Sequence, residues 1–418
     1  MSRRVVLWVA FALVHLGVAW LGWVMPNQPM GDVYNVYEPW STQALHGLGV
    51  VGIDTPWVYP QLALVPMLLA HLFAVVGGGY IVGWALLVTV ADAAAFAVLV
   101  GRGRSQSRTV AAWFWLVAIA LLGPVGLYRL DGFTVALAVP ACLWLVGRPW
   151  VASVLLAIAT WMKVWPAALL AAAVVAVRRR FAIVGGALAV SALTLLTVAA
   201  MGGAAHAFGF LSEQTSRGLQ VEAPVSGFYL WGALLQIPGF WVYYDPDILT
   251  FQVTGTQIDP VIAAMTPVLV LAVGAVAVLG GVKAWRGATF AALFPTLSLA
   301  LVVAFIAFNK VGSPQYICWL FPSVILGLVL DRRRWWRPAL LVLATALLTQ
   351  IVYPVLYNGI LTAPPEPVAV VTLTVRNLLL VALLVWMTVR LARVRTRVRR
   401  PAAAARPDLS VRPTPDPV

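Results

Sequence analysis

The chain has 418 residues, of which 62% are hydrophobic and only 10% are charged. A water-soluble fold of this composition would have too few polar residues to cover its surface, so the class of soluble globular proteins is excluded. The formal net charge is +14, but the arginines are concentrated between apolar runs and near the C-terminal end, as orientation signals of membrane proteins are. We therefore expect a polytopic membrane protein and no nucleic-acid partner.

The first long apolar run, residues 5–24, is long enough to cross a bilayer core of about 30 Å. No small-residue cleavage site follows it, so we predict an uncleaved first helix with its N-terminus inside rather than a signal peptide. Residues 26–60 are polar by the standards of this chain and form a predicted first extracytoplasmic loop. Apolar side chains recur there at helical spacing, which predicts an amphipathic helix on the outer membrane face: Val36, Tyr37, Trp40, Ala44, Leu45 and Leu48.

Twelve further apolar runs follow, at residues 61–76, 80–100, 109–127, 132–146, 151–161, 165–177, 181–201, 260–280, 288–308, 314–330, 338–356 and 368–389. Basic clusters fall in every second connection of the C-terminal half, at residues 178–180, 283–286, 332–337 and from 390 onward. By the positive-inside rule, residues 202–259, 309–313 and 357–367 are therefore predicted outside, and the first of these is the largest outer loop.

Two topologies are open for the N-terminal half, because Arg102, Arg104 and Arg108 fall outside if both runs between residues 61 and 100 cross. Either one of these runs is re-entrant, or the arginines break the rule and residues 151–177, kinked at Pro166, cross once. We favour the re-entrant run. It predicts an all-α fold of about 12 transmembrane helices over residues 1–392 with both termini cytoplasmic. Residues 393–418 are predicted to be a disordered basic cytoplasmic tail.

Three polar residues at the predicted outer face are the main candidates for chemistry. Asp32 lies just past the first helix, where a carboxylate partly shielded from water can act as a general base; the alternatives are a solvated loop acid and a helix N-cap. Lys163 interrupts an apolar stretch and is either functional or a snorkelling lysine at a helix end. Lys310 opposes the positive-inside pattern, and it either binds a phosphate or is an exposed loop lysine.

The large outer loop also carries alternating charges at Glu213, Arg217 and Glu222, which bind a polar ligand, pair internally or are simply solvated. Asp92 and Asp131 lie within or at the start of apolar runs. Each either serves function or pairs with a neighbour, for which Arg129 is a candidate beside Asp131.

The sequence contains no nucleotide-phosphate loop and no Ser-His-Asp constellation. Its four histidines are scattered without ligand spacing, so we predict no metal site. These observations argue against a soluble nucleotide-sugar donor and favour an activated lipid as the alternative.

Several of these stretches resemble the GT-C class of polytopic glycosyltransferases, and within it the actinobacterial polyprenyl-phosphate-mannose-dependent α-mannosyltransferases of glycosyltransferase family 87. The similar stretches occur in order within residues 5–330, at residues 31–34, 57–60, 163–166, 217–222 and 310–316. The chain departs from the family at Gln61, where a second proline is frequent, and at Leu130-Asp131-Gly132, where relatives commonly carry Gly-Gln near an Asn. These departures leave the donor sugar and the role of Asp131 open.

The resemblance implies that Asp32 is the base that deprotonates an acceptor hydroxyl, which then attacks the sugar of a lipid-phosphate donor with inversion. It also implies that Lys163 and Lys310 hold the donor phosphate. Further expected substrate-binding residues are Tyr34, Asp54, Tyr59, Asp131, Arg217, Gln220, Glu222 and Gln315.

The expected function is transfer of a mannosyl or related residue from a polyprenyl-phosphate sugar donor to a lipid or glycolipid acceptor at the outer face of the plasma membrane. No cofactor is required on sequence grounds, and the need for a divalent cation is open. Two other classes remain. A lipid or glycan transporter or flippase would usually show internal repeats, and a non-catalytic envelope assembly protein would not need acids and cations gathered at one face.

Overall fold

The structure is a computed structural model that describes residues 2–215 and 217–396, so most of the predicted tail lies outside the described residues. The described part is mostly helical, as predicted. Eight of its helical stretches are long and apolar enough to cross a membrane: Arg3–Val24, Gly79–Val100, Gln106–Gly126, Arg180–Ala200, Ile258–Trp285, Phe290–Ala307, Pro314–Val355 and Pro367–Ala392. Shorter apolar helices occupy Gln61–Ala74, Leu130–Trp144, Pro149–Met162 and Ala167–Ala176. The chain is therefore a helical membrane protein.

We number the α-helices of the described residues in chain order. They are α1 Arg3–Val24, α2 Glu38–Leu45, α3 Leu64–Ala74, α4 Gly79–Val100, α5 Gln106–Leu122, α6 Leu130–Trp144, α7 Pro149–Met162, α8 Ala167–Ala176, α9 Arg180–Ala200, α10 Gly209–Thr215, α11 Gly227–Leu234, α12 Ile258–Trp285, α13 Phe290–Ala307, α14 Phe321–Gln350, α15 Tyr357–Leu361 and α16 Pro367–Ala392.

Helix α14 is two helical segments, because Asp331 leaves the helical conformation with φ −149° and ψ 74°. This break falls at the basic cluster that separated two predicted crossings. The predicted stretch of residues 151–177 is likewise divided into α7 and α8, with the extended Lys163 ending α7 and Pro166 preceding α8. Because proline lacks a backbone N–H and its ring disrupts a helix interior, Pro166 precedes α8 instead of lying within one continuous helix.

Burial separates a central group of helices from a peripheral one. The most apolar stretch of α13 is 78% buried and that of α5 is 67% buried, whereas the corresponding values are 22% for α9 and 11% for α12. Helices α5 and α13 therefore form the core of the bundle together with α14, against which both pack. In a membrane protein the exposed apolar faces of α9 and α12 are the surfaces expected to meet lipid chains.

The basic connections lie together at one end of the bundle, which we call the basic end. Lys283, near the end of α12, donates to the carbonyl oxygen of Ala392 at the end of α16. Arg390 donates to the carbonyl oxygen of Arg334 beside the break in α14, at 3.0 Å. Gly103 packs against the side chain of Arg4. The loop between α4 and α5, with Arg102 and Arg104, thus lies at the same end as the start of α1.

Helix α3 packs along α4 and also contacts loops at the opposite end of the bundle, which we call the site end. Just before it, the Gln61 amide donates to the carbonyl oxygen of His206 in the loop after α9, at 3.1 Å. Near its other terminus, the Nε2 atom of His71 lies 2.9 Å from the hydroxyl of Ser41 in α2. The segments at both ends of α3 therefore contact loops at the site end.

The first loop contains a π-helical turn over residues 33–37 that continues into α2. Tyr37 and Ser41 are buried against α3 and α4, while Leu45 and Leu48 remain exposed. The segment is helical, as predicted. Its buried face packs on other helices of the protein. The large loop adds an antiparallel hairpin that the sequence pattern did not indicate, in which β1 Trp241–Asp245 pairs with β2 Thr250–Thr254.

Candidate active site at one end of the helix bundle

The first pair of the site joins the loop after α1 to the start of α6. Asp32 Oδ1 lies 2.7 Å from Arg129 Nη1, and the Asp32 side chain is 34% exposed whereas that of Arg129 is 8% exposed. Arg129 Nη2 also lies 3.5 Å from the hydroxyl of Tyr353, which donates to the carbonyl oxygen of Asn27 at 3.0 Å. The guanidinium is thus fixed between the first loop and the end of the second α14 segment.

Tyr37 connects the same two elements from the other side. Its hydroxyl accepts a hydrogen bond of 3.3 Å from the backbone N–H of Leu130, in the first turn of α6. Its ring packs on Trp84 of α4, with the ring centroids 4.8 Å apart. Because Tyr37 is buried, it anchors in the core the turn that follows Asp32.

The second pair is formed by Asp131 and Lys163. Asp131 Oδ2 lies 3.3 Å from Lys163 Nζ, and Asp131 Oδ1 accepts a hydrogen bond of 2.6 Å from the indole N–H of Trp319. The suggestion that Asp131 pairs with Arg129 is therefore wrong, since Arg129 turns to Asp32. Lys163 also does not snorkel to water: its side chain is 14% exposed, and its ammonium lies 4.7 Å from the ring centroid of Tyr59.

Aromatic rings enclose this second pair. Tyr316 stacks on Trp319 with a centroid distance of 4.0 Å, and Trp165 also stacks on Trp319, with a centroid distance of 5.8 Å. The Trp165 indole N–H donates to Thr134 Oγ1 at 3.0 Å, which joins the connection before α8 to α6. A charge pair in such surroundings is held rigidly, because both ions lose water and depend on each other.

The third pair is Glu222 with Arg376. Their side-chain atoms approach to 2.8 Å, and the two side chains are 3% and 2% exposed. Burial raises the pKa of Glu222 to about 7, although Arg376 and Arg129 both act in the opposite direction. Arg129 thus lies within electrostatic range of both Asp32 and Glu222, which makes the first and third pairs neighbours.

Two loops that were singled out separately in the sequence pack against each other. The backbone N–H of Gln220 donates to the carbonyl oxygen of Lys310 at 3.0 Å. Gly312 lies directly on the backbone of Glu222 and Ala223, where a Cβ atom would meet the Ala223 nitrogen. Only glycine allows this approach without displacing one of the loops.

The loop of residues 309–313 is an inner part of the site end. Lys310 is 6% exposed, so the alternative of an exposed loop lysine is wrong, and burial lowers the pKa of its ammonium group. Gln220 and Gln315 are also buried, and Gln315 Oε1 accepts a hydrogen bond of 2.8 Å from Ser313. Arg217 is half-buried, lies within electrostatic range of Tyr316, and has a buried Nε atom without a hydrogen-bond partner among the described residues.

Other candidates lie apart from these pairs. Asp54 is exposed in a turn of the first loop, where its Oδ2 accepts a hydrogen bond of 2.7 Å from the backbone N–H of Val50. Tyr34 is half-buried in the π-helical turn and packs against the core. Asp92 pairs with His15 at 3.2 Å inside the bundle, between α4 and α1.

Arg376 and Tyr353 are members of the site end that the sequence reasoning missed. Both lie in the last apolar runs, which had been assigned on hydropathy alone. An arginine inside the apolar run of residues 368–389 was itself a usable signal, because charge within a membrane helix usually marks a partner or a site. Within the described residues, no group of three or more His, Cys, Asp or Glu side chains is arranged to hold a metal ion.

Comparison with known proteins adds no relative to this description. Neither a scan against protein-family models nor searches of curated proteins and of solved structures gave a match. What the fold and the site define is a helical membrane protein in which three acid–base pairs, contributed by separate segments, meet at the bundle end opposite the basic connections.

Proposed function

We propose that the chain is a membrane glycosyltransferase that uses Asp32 as its general base. The observation that carries this proposal is the difference in exposure among the three carboxylates of the paired residues. Asp131 and Glu222 have side chains that are 1% and 3% exposed, and only Asp32, at 34%, can meet a substrate. One oxygen of Asp32 is oriented by Arg129, which leaves the second to accept a proton.

The proposed reaction follows from that geometry. Asp32 accepts the proton of an acceptor hydroxyl, and the oxygen of this hydroxyl forms a bond to the anomeric carbon of the donor sugar. The bond between that carbon and the donor phosphate breaks, and its electron pair leaves with the phosphate. Attack opposite to the leaving group inverts the configuration at the anomeric carbon.

The leaving phosphate gains negative charge, so a cation near it lowers the barrier. Because Asp131 neutralises its charge, Lys163 is better suited to stabilising the structure of the site than to binding the phosphate. Arg217, half-buried and with an unpartnered Nε atom, and Lys310, buried in the adjoining loop, are the stronger candidates. We assign the donor phosphate to the region between these two residues.

The donor is proposed to be a polyprenyl-phosphate sugar and the acceptor a lipid or glycolipid, since both would reach the site end from the bilayer. We further propose about 12 crossings, with α3 re-entrant and α14 crossing twice. In this arrangement the chain spans the plasma membrane. The basic end faces the cytoplasm, and the site end faces the outside of the cell. The clustering of Arg4, Arg102, Lys283, Arg334 and Arg390 at one end supports it.

The direct test uses the purified chain in lipid nanodiscs with polyprenyl-phosphate mannose labelled in the sugar, together with a lipid extract as acceptor. We expect label to move to an acceptor lipid and the unlabelled polyprenyl phosphate to be released in equal amount. Label that only crosses between leaflets, with the donor recovered intact, would support a flippase and contradict the transferase. Donor recovered intact on its original side would contradict both.

A further inference from the structure

A concave site lies at the basic end, away from the residues discussed so far. It is a cavity of about 970 Å³ between the ends of α6 and α8 and the connection from α12 to α13. Arg178, Arg179 and Arg180 form one side of its lining, and all three are exposed. None of the ion pairs among the described residues involves them.

The other walls of the cavity are apolar. They are formed by side chains of α8, α12 and α13, including Val175, Ala284, Ala288, Phe290 and Leu293. The lining contains no acidic side chain. A single site thus combines a row of three guanidinium groups with a hydrophobic wall, which is the division between headgroup and chains that a phospholipid presents.

Two helix N-termini add to the positive potential at this site. Helix α9 begins at Arg180 and α13 begins at Phe290, both in the lining of the cavity. Neither helix has a side-chain hydrogen bond at its N-cap, although Thr289 at the cap of α13 has a hydroxyl that can donate or accept one. The first N–H groups of a helix and its dipole favour an anion, and here they coincide with the arginines.

We propose that this cavity binds an anionic phospholipid of the leaflet at the basic end. Arg178 to Arg180 bind the phosphate and any further negative charge of the headgroup, and the acyl chains lie along the exposed apolar faces of α8 and α12. Trp285, which lines the cavity and is 86% exposed, lies where tryptophan favours the interface between headgroups and chains. The inference is independent of the glycosyltransferase proposal, because it concerns the opposite end of the bundle.

The test is a lipid titration of the purified full chain in neutral detergent, followed by native mass spectrometry. The probes are phosphatidylglycerol and, separately, phosphatidylcholine. We compare the unchanged chain with Arg178→Gln/Arg179→Gln and with the matched control Arg102→Gln/Arg104→Gln, which removes the same charge from an exposed loop at the same end. A third variant, Ala288→Phe, narrows the cavity without changing its charge.

For the unchanged chain we expect the first phosphatidylglycerol to bind at least about tenfold more tightly than phosphatidylcholine. Arg178→Gln/Arg179→Gln and Ala288→Phe should each remove most of that preference, whereas the control should retain it. The proposal is overturned if the two lipids bind equally to the unchanged chain. It is also overturned if the control loses as much affinity as the test variant, since the attraction would then come from overall charge and not from the cavity.

Discussion

Asp32 and Arg129 approach to 2.7 Å, and yet about a third of the Asp32 side chain stays accessible. Arg129 Nη2 lies 3.5 Å from the hydroxyl of Tyr353 in the turn after α14, and Tyr353 in turn bonds Asn27 in the first loop, so the orientation of the carboxylate depends on both segments. The general base that we propose Asp32 to be must meet its substrate while keeping a defined direction, and both conditions fit this pair.

We first predict that Asp32→Asn abolishes sugar transfer. The amide keeps the shape of the side chain but cannot accept the acceptor proton, so the turnover number should fall by a factor on the order of 10²–10⁴. The apparent Michaelis constant for the donor should change little. The measurement is the initial rate with labelled polyprenyl-phosphate mannose at saturating donor.

The matched control is Asp247→Asn, which changes an exposed acid in the turn between β1 and β2 of the large loop. It should retain transfer and expression near those of the unchanged chain. If Asp32→Asn were as active as this control, Asp32 would lose its role as base, whatever the fate of the other pairs.

The second prediction concerns the leaving phosphate. Arg217→Gln should raise the apparent Michaelis constant for the donor by about tenfold, because it removes one charged hydrogen-bond donor from an anion. Lys310→Gln should act in the same direction, and Arg217→Lys should restore part of the loss. Arg286→Gln, an exposed arginine near the basic end, serves as control and should leave the constant unchanged. Unaltered donor kinetics in both glutamine variants would remove these residues from the phosphate site.

The third prediction concerns stability. Asp131→Asn and Lys163→Met should each destabilise the chain by about 3–5 kcal/mol, because each leaves a buried charge without its partner. The double variant should lose less than the sum of the single variants, as a double-mutant cycle on thermal unfolding in detergent would record. The exposed pair Asp331 and Arg334 is the control and should contribute at most about 1 kcal/mol. Additive losses would show that Asp131 and Lys163 are not coupled.

The fourth prediction is a pH dependence set by Glu222. Its pKa in the folded chain is about 7, above the ordinary value of 4.5, because burial favours the neutral form. Protonation of this group therefore stabilises the fold fully below about pH 4.5, and that contribution is lost as the pH rises through about 7. A shift of this size corresponds to on the order of 3 kcal/mol.

Glu222→Gln should remove that slope, since its amide does not titrate. We expect the apparent melting temperature of the unchanged chain to fall, relative to the variant, between pH 5 and pH 7.5. The comparison cancels the contribution of every other titrating group. A constant difference across this range would mean that Glu222 is ionised throughout and that the Arg376 contact outweighs burial.

The fifth prediction tests the proposed orientation. Cys142 and Cys318 are buried, so a cysteine introduced at the surface can be labelled selectively. In intact cells, a membrane-impermeant maleimide should label Asp54→Cys and should reach Arg104→Cys only after permeabilisation. Labelling of Arg104→Cys from outside would place the basic end outward and contradict the topology.

Much of the fold was readable from the sequence, because each apolar run long enough to cross a bilayer reappears as helix. The breaks were also readable where proline or a charge interrupts a run, as at Pro166 and Asp331. The conformation of the loops could not be predicted in this way. The hairpin at residues 241–254 depends on packing against α11 and the loop before it, and the periodicity of local hydrophobic residues does not indicate such packing. The path of the chain between residues 61 and 100 was left with two alternatives, and the re-entrant one stays a proposal.

For the site, the sequence analysis named several charged residues that the structure brings together, but the partner it suggested for Asp131 was wrong. Asp131 was matched with Arg129 because the two are close in the chain, but α6 begins between them and turns their side chains to different neighbours. Arg376 was overlooked because the helix that carries it had been assigned from its hydropathy alone. Sequence distance is a poor guide in a bundle whose site is assembled from the ends of many helices.

The contact of Gly312 with Glu222 and Ala223 has a consequence for engineering and for natural variation. Two loops separated by almost ninety residues interlock there with no room for a side chain, so neither can lengthen or be exchanged alone. A chimaera that imports the segment of residues 217–223 from another protein would have to import residues 309–316 as well. Selection acting on either loop would then act on both as one inherited unit.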